Sequence, residues 1–195
     1  RYFALDDGTW WFGGGIDLTP HYIVPSEAKA FHGDLKSICD VHAVADYVNF
    51  KSWADRYFYS PHREESRGVG GIFFDHMGRE GGVDPQEALA FCVALASAYS
   101  DIYKRRAAPF LSSPATEAEK AWQGLRRGRY VEFNLVHDRG TRFGLVSGGR
   151  TESILMSLPA SANWTYNHQP EPGSREAQTL NWLSKGKEGV DWLSA

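Results

Sequence analysis

Asp17 closes a run of unusual composition, Trp10-Trp11-Phe12-Gly13-Gly14-Gly15-Ile16-Asp17-Leu18-Thr19-Pro20. Three consecutive glycines strip the backbone of side chains, and the use of such a stretch is close approach by another group. The carboxylate that follows needs a donor. It either caps the loop before Thr19-Pro20 or receives hydrogen bonds from something bound over the glycines. A second string, Arg67-Gly68-Val69-Gly70-Gly71-Ile72-Phe73-Phe74-Asp75, sets an arginine before glycines and an apolar strand. Arg127-Gly128-Arg129-Tyr130-Val131-Glu132-Phe133-Asn134-Leu135, Asp138-Arg139-Gly140-Thr141 and Gly148-Gly149-Arg150-Thr151 continue the arginine theme. A guanidinium grips carboxylate or phosphate with a planar fork. The chemistry these residues suggest is therefore the binding of an anionic molecule around one carboxylate.

Charge distribution agrees. The chain of 195 residues has 21 basic and 24 acidic side chains, a formal charge of −3. Residues 1–100 hold 8 basic and 14 acidic groups and residues 101–195 hold 13 and 10, so the halves carry −6 and +3. A nucleic-acid partner would call for an overall basic chain, and a small anion fits better. Hydrophobic residues make up 42% and aromatic residues 14%, enough for a folded core and too much for a disordered chain. No apolar run reaches the ~18 residues of a membrane span. Cys39 and Cys92 lack metal or redox spacing, which points to a reducing compartment.

The elements that must position these residues read as follows. Asp6-Asp7-Gly8 turns a hairpin of strands 2–5 and 9–12. Helices are expected from Ser26 to about Cys39 and from about Ala43 to Phe58, with residues 60–67 irregular and a buried strand at Ile72-Phe73-Phe74. Asp84-Pro85-Gln86-Glu87 starts a helix that reaches about Lys104, and Thr116 with Glu119 forms a capping box for one ending near Arg127. After Gly128 strands are expected at 130–136, 143–146 and 151–158, and a last helix at 174–183. The sum is an α+β fold, an antiparallel β-sheet flanked by α-helices on its faces.

Taken together, WWFGGGxDLTP, RGxGGxFFD, RRGRYVEFNL and GGRTESILMSLP in this order closely resemble oxygen-dependent coproporphyrinogen III oxidase, along essentially the whole chain. The resemblance implies oxidative decarboxylation of two propionates of coproporphyrinogen III to vinyl groups, giving protoporphyrinogen IX in heme biosynthesis. Dioxygen would be co-substrate and no organic cofactor would take part. It assigns Asp17 to the pyrrole N–H groups, with Arg67 and Arg139 beside it as catalytic residues. Arg1, Gly148, Gly149 and Arg150 become substrate-binding residues. Arg126, Arg127 and Arg142 are expected to be solvated or to face a dimer partner. In that family a segment with a proposed proton-donor histidine precedes the position of Arg1. Residues 1–195 are thus expected to be a single domain lacking its N-terminal part.

A divalent metal has been proposed for bacterial members, and His32 and His62 match the histidines concerned. A lone helical histidine is more often a satisfied core residue, so both readings stand at this point. The family is dimeric, which makes Tyr130 to Thr165 the expected homodimer interface. The expected location is cytoplasmic, or the mitochondrial intermembrane space for a eukaryotic source of that type.

Overall fold

A computed structural model describes residues 1–185 and 189–195. Strands β1 (Tyr2–Ala4) and β2 (Trp10–Leu18) form the expected hairpin. Asp7 Oδ1 accepts the Thr9 N–H at 2.8 Å and Gly8 takes a left-handed φ of 86° in its turn. β2 does not stop at Phe12. It runs through all three glycines because β5 (Gly70–Met77) pairs with it antiparallel, Ile16 opposite Ile72 and Asp17 opposite Gly71. The three strands lie in the order β1-β2-β5, and a two-stranded ribbon, β3 (Tyr59–Ser60) with β4 (Glu65–Ser66), occupies the segment expected to be irregular.

Alternation along the strands gives the sheet two unlike faces. Phe12 and Ile16 of β2 and Ile72 and Phe74 of β5 point into the main core, which α1 (Pro25–Asp40) and α3 (Pro85–Ala107) close with Phe31, Leu35, Phe91 and Leu95. Each such side chain adds ~1.5–3 kcal/mol by leaving water. α2 (Tyr47–Tyr57) packs on β5, and its Phe50 ring lies 5.2 Å from Phe74. Caps set the helix starts: Asp46 accepts from Asn49 N–H, Asp84 from Gln86 N–H, and Thr116 with Glu119 forms the reciprocal box. The last helix, α7 (Arg175–Leu183), starts at Ser174 as its pattern predicts.

The C-terminal half departs from expectation. Residues expected as strands at 130–136, 143–146 and 151–158 are helical: α4 (Glu117–Val136) continues straight through Gly128, and α5 (Arg139–Val146) and α6 (Thr151–Ile154) follow. Gly128 does not end α4, because its missing side chain admits another segment. A Cβ there would stand 2.3 Å from the Asn163 carbonyl oxygen, and one on Gly124 would stand 2.5 Å from Asn163 Nδ2. Asp138-Arg139-Gly140 is likewise a helix start, with Asp138 Oδ2 accepting from Thr141 N–H at 2.7 Å.

Candidate active site

The second face of the sheet is built by subtraction. On β2 it carries Gly13, Gly15 and Asp17, and on β5 Gly71, Phe73 and Asp75. Gly71 is obligatory: its φ is 156° and a Cβ would lie 2.0 Å from the Ile16 carbonyl oxygen. A Cβ on Gly13 would run into Arg1 Nε and Asp75 Oδ1, each at 2.6 Å. The result is a glycine floor with an ion pair at either end. At one end Arg1 meets Asp75 at 3.1 Å, its guanidinium 5.7 Å from the Phe73 ring. At the other, Arg67 Nη2 donates to Asp17 Oδ2. Four residues of β2 separate the two ends, roughly 13 Å.

Arg67 is 8% exposed and Asp17 is half-buried. The Arg67 guanidinium sits 4.0 Å from the Phe58 ring centre, 5.0 Å from Phe133 and 5.1 Å from Tyr130. These rings come from the end of α2 and from α4, so the helical form of residues 130–136 places them around Arg67. Cation–π contacts of this kind stabilise a desolvated guanidinium where water cannot. Among the described residues its Nε is buried without a hydrogen-bond partner. Loop and strand meet tightly here, since a Cβ on Gly68 would stand 2.2 Å from the Leu18 carbonyl oxygen.

Arg139 reaches the same region through Tyr57. The Tyr57 ring stacks on Phe73 with centres 4.6 Å apart, and the Arg139 guanidinium lies 5.1 Å from that ring. Tyr57 O–H donates to Asp138 Oδ1 at 2.8 Å and accepts the Arg139 N–H at 3.1 Å. Burial, followed by the hydrogen bond to Asp138, raises the phenol's pKa above its usual value. Asp17, Arg67 and Arg1 are thus brought to one face, and Arg139 is linked to it through the Tyr57 ring. Gly148, Gly149 and Arg150 are not joined to it by any contact among the described residues. They form the corner between α5 and α6, where Gly149 N–H donates to the Gly144 carbonyl at 3.0 Å and Arg150 is exposed.

The two candidate metal-binding histidines do not share a site. His32 is fully buried on α1, and both ring nitrogens are engaged, Nδ1 with Tyr47 Oη and Nε2 with the Val69 carbonyl, each at 2.9 Å. Burial pulls its pKa down to about 4. His62 lies between His137 Nε2 at 2.9 Å and Glu132 Oε2 at 3.2 Å. Burial pushes the Glu132 carboxyl upward, but Arg63, Arg129, His62 and Trp164 outweigh it and hold the group at about 2. Among the described residues no three His, Cys, Asp or Glu side chains form a group that could hold a metal ion. His32 and His62 are thus engaged with separate partners in separate places.

Arg126 also corrects an expectation. It is buried rather than solvated, pairing with Glu65 Oε1 at 3.1 Å, because α4 turns it inward toward β4. Residues that sequence reasoning passed over are Asp75, Tyr57 and Tyr130. Asp75 was within reach, since positions 71, 73 and 75 alternate onto one face. Tyr130 was hidden by the assignment of its segment to a strand.

This face of the sheet thus carries glycines and Phe73 between two carboxylate–guanidinium pairs, Asp17 with Arg67 and Asp75 with Arg1. Comparison with known proteins gives the chain a family. The family model described as coproporphyrinogen III oxidase matches residues 1–192. The chain is 49% identical over 205 residues to the oxygen-dependent coproporphyrinogen-III oxidase, chloroplastic, of Hordeum vulgare, covering 99% of this chain and 50% of that protein. It is 47% identical over 188 residues to the oxygen-dependent coproporphyrinogen-III oxidase of Francisella tularensis subsp. holarctica (strain LVS), covering 96% and 59%. With the mitochondrial protein of that name from Rattus norvegicus the identity is 46% over 198 residues, covering 99% and 43%. The chain belongs to the coproporphyrinogen III oxidase family. It spans about half the length of the relatives it matches.

The expectation of a cytoplasmic location is overturned by the same relatives, which include chloroplastic and mitochondrial proteins. Two free cysteines do not separate those compartments from the cytoplasm. Among the described residues no helix is long and apolar enough to cross a membrane.

Proposed function

We propose that this chain carries the substrate-binding face of an oxygen-dependent coproporphyrinogen III oxidase, which converts two propionates to vinyl groups. The observation that carries the reading is the Asp17–Arg67 pair beside the floor of Gly13, Gly15 and Gly71. A tetrapyrrole with four inward N–H groups and a rim of propionates presents the complementary pattern. Asp17 accepts pyrrole N–H bonds, and its carboxylate stabilises the positive charge that develops as the ring gives up electrons. Arg67, engaged with Asp17, orients that carboxylate. Arg1 and Arg139 take propionates through charge-assisted bonds of about 1.5–3 kcal/mol each.

Each turnover balances as propionate, dioxygen and a proton giving vinyl, carbon dioxide and hydrogen peroxide. The carboxylate carbon leaves as carbon dioxide, the adjacent carbons form the double bond, and the two electrons pass with hydrogen to dioxygen.

A homodimer is part of the proposal. Phe143, Val146, Met156 and Trp164 are exposed on residues 130–165 and would be covered by a second copy. Phe133, expected at that interface, is buried within the protomer. A light-scattering mass of two protomers at micromolar concentration supports this, and a mass of one contradicts it. The activity is tested by incubating full-length protein with coproporphyrinogen III after chelation, with and without oxygen. Vinyl product and peroxide are expected only with oxygen, and full turnover without it would remove the assignment.

A further inference from the structure

The Val69 carbonyl, two residues beyond Arg67, receives two hydrogen bonds from distant parts of the chain: His32 Nε2 of α1 and Trp192 Nε1 of the C-terminal segment, both at 2.9 Å. A carbonyl has two lone pairs and no proton, so both are filled and His32 must carry its proton on Nε2. Its Nδ1 is then the acceptor for Tyr47 O–H. The His32 and Trp192 rings stack with centres 6.5 Å apart, and Trp192 is buried against Trp182. On the opposite side of the loop, Val69 N–H donates to the Leu18 carbonyl at 3.0 Å, one residue from Asp17.

Resting on the function proposed above, we infer that His32 is a positioning residue that, with Trp192, holds the Val69 carbonyl and thereby sets Arg67 against Asp17. The loop is gripped on both sides. Leu18 ties it to the strand that carries Asp17, and the imidazole and indole tie it to the core. A shift of Val69 moves Arg67 within its ring box and away from the carboxylate. This role leaves His32 no nitrogen for a metal and no proton to give to substrate.

The test uses full-length protein. Trp192→Phe deletes one N–H while keeping an aromatic ring, and should lower kcat roughly three- to tenfold, the loss expected for one hydrogen bond. His32→Gln, whose amide reaches the place of Nε2 and can donate the same bond, should recover most of what His32→Leu loses. Combined with Arg67→Lys, Trp192→Phe should cost less than the product of the two separate losses, since both act through Arg67. Independent losses, or no rescue by glutamine, would overturn the inference. Two readouts do not depend on turnover. The Arg67 side-chain Nε–H resonance should move in Trp192→Phe, and the His32 ring nitrogens should report the Nε2–H tautomer unaltered by added manganese or zinc ions. An unmoved Arg67 resonance, or a His32 ring that shifts on metal addition, would contradict it. Lack of oxygen-dependent turnover in the unaltered protein would instead remove the proposed function, leaving these resonances to decide the positioning role.

Discussion

The two faces of the β2–β5 pair are made from the same strands and answer to different demands. On one, Phe12, Ile16, Ile72 and Phe74 are buried and fill space. On the other, Gly13, Gly15 and Gly71 let backbone and charged side chains approach closely, and the charged pairs Asp17–Arg67 and Arg1–Asp75 stand at its ends. The main core lies on the first face, and the proposed function places the chemistry on the second. Substitutions on the two should therefore separate folding from turnover.

The largest effect belongs to the core face. Phe74→Ala should cost about 3–5 kcal/mol, the usual range for removing a buried aromatic ring, because Phe74 touches both Phe50 and Phe91. Denaturant unfolding checks this, and a loss under ~1 kcal/mol would show that this face is loosely packed. On the site face, Arg67→Lys keeps the charge but loses the fork and the planar stacking on Phe58. It should reduce kcat/KM by roughly tenfold, or about 1.4 kcal/mol, and unchanged kinetics would make Arg67 a purely structural residue.

Acid should act on the core side first. His32 has its pKa depressed from 6.5 to about 4 by burial, so between those values the unfolded chain binds a proton that the folded chain refuses. Stability from this group is complete above pH ~6.5 and is lost as pH falls toward 4. His21, also held at about 4 by burial and then by Arg127 and Arg126, adds in the same direction. His32→Gln should flatten the fall in melting temperature across that window, and an equally steep profile would show that His32 is not its source. The smallest effect is expected for Gly13→Ala. Its methyl meets first the side chains of Arg1 and Asp75, so stability should change by less than ~1 kcal/mol while the Arg1–Asp75 pair is displaced. A large stability loss there would mean that the pair cannot give way.

Much of this was legible in the sequence because the signals are local. Asp84-Pro85, Thr116 with Glu119 and Ser174 each cap a helix by bonds within one turn. The glycine strings identified the floor, and Asp17 was identified as a carboxylate in need of a donor. The failures came where a distant partner decides. Tyr130-Val131-Glu132-Phe133 has the composition of a strand, yet Gly124 and Gly128 let Asn163 lie against α4 and the helix persists. Asn163 N–H donates to the Gly124 carbonyl at 2.9 Å, a contact across 39 residues that no periodicity reveals. The pairing of Arg67 with Asp17 spans 50 residues and was invisible for the same reason. Arg67 was expected to help fix the substrate, and the proposed function has it orient Asp17 instead, on the strength of that contact.

Asp17→Asn in the full-length protein is the most direct test of the site. The amide keeps the shape and removes the charge, so oxygen-dependent vinyl formation should fall by more than roughly tenfold while the melting temperature stays close to that of the unaltered protein. Turnover near the original rate would contradict the account and return Asp17 to a role in holding the loop.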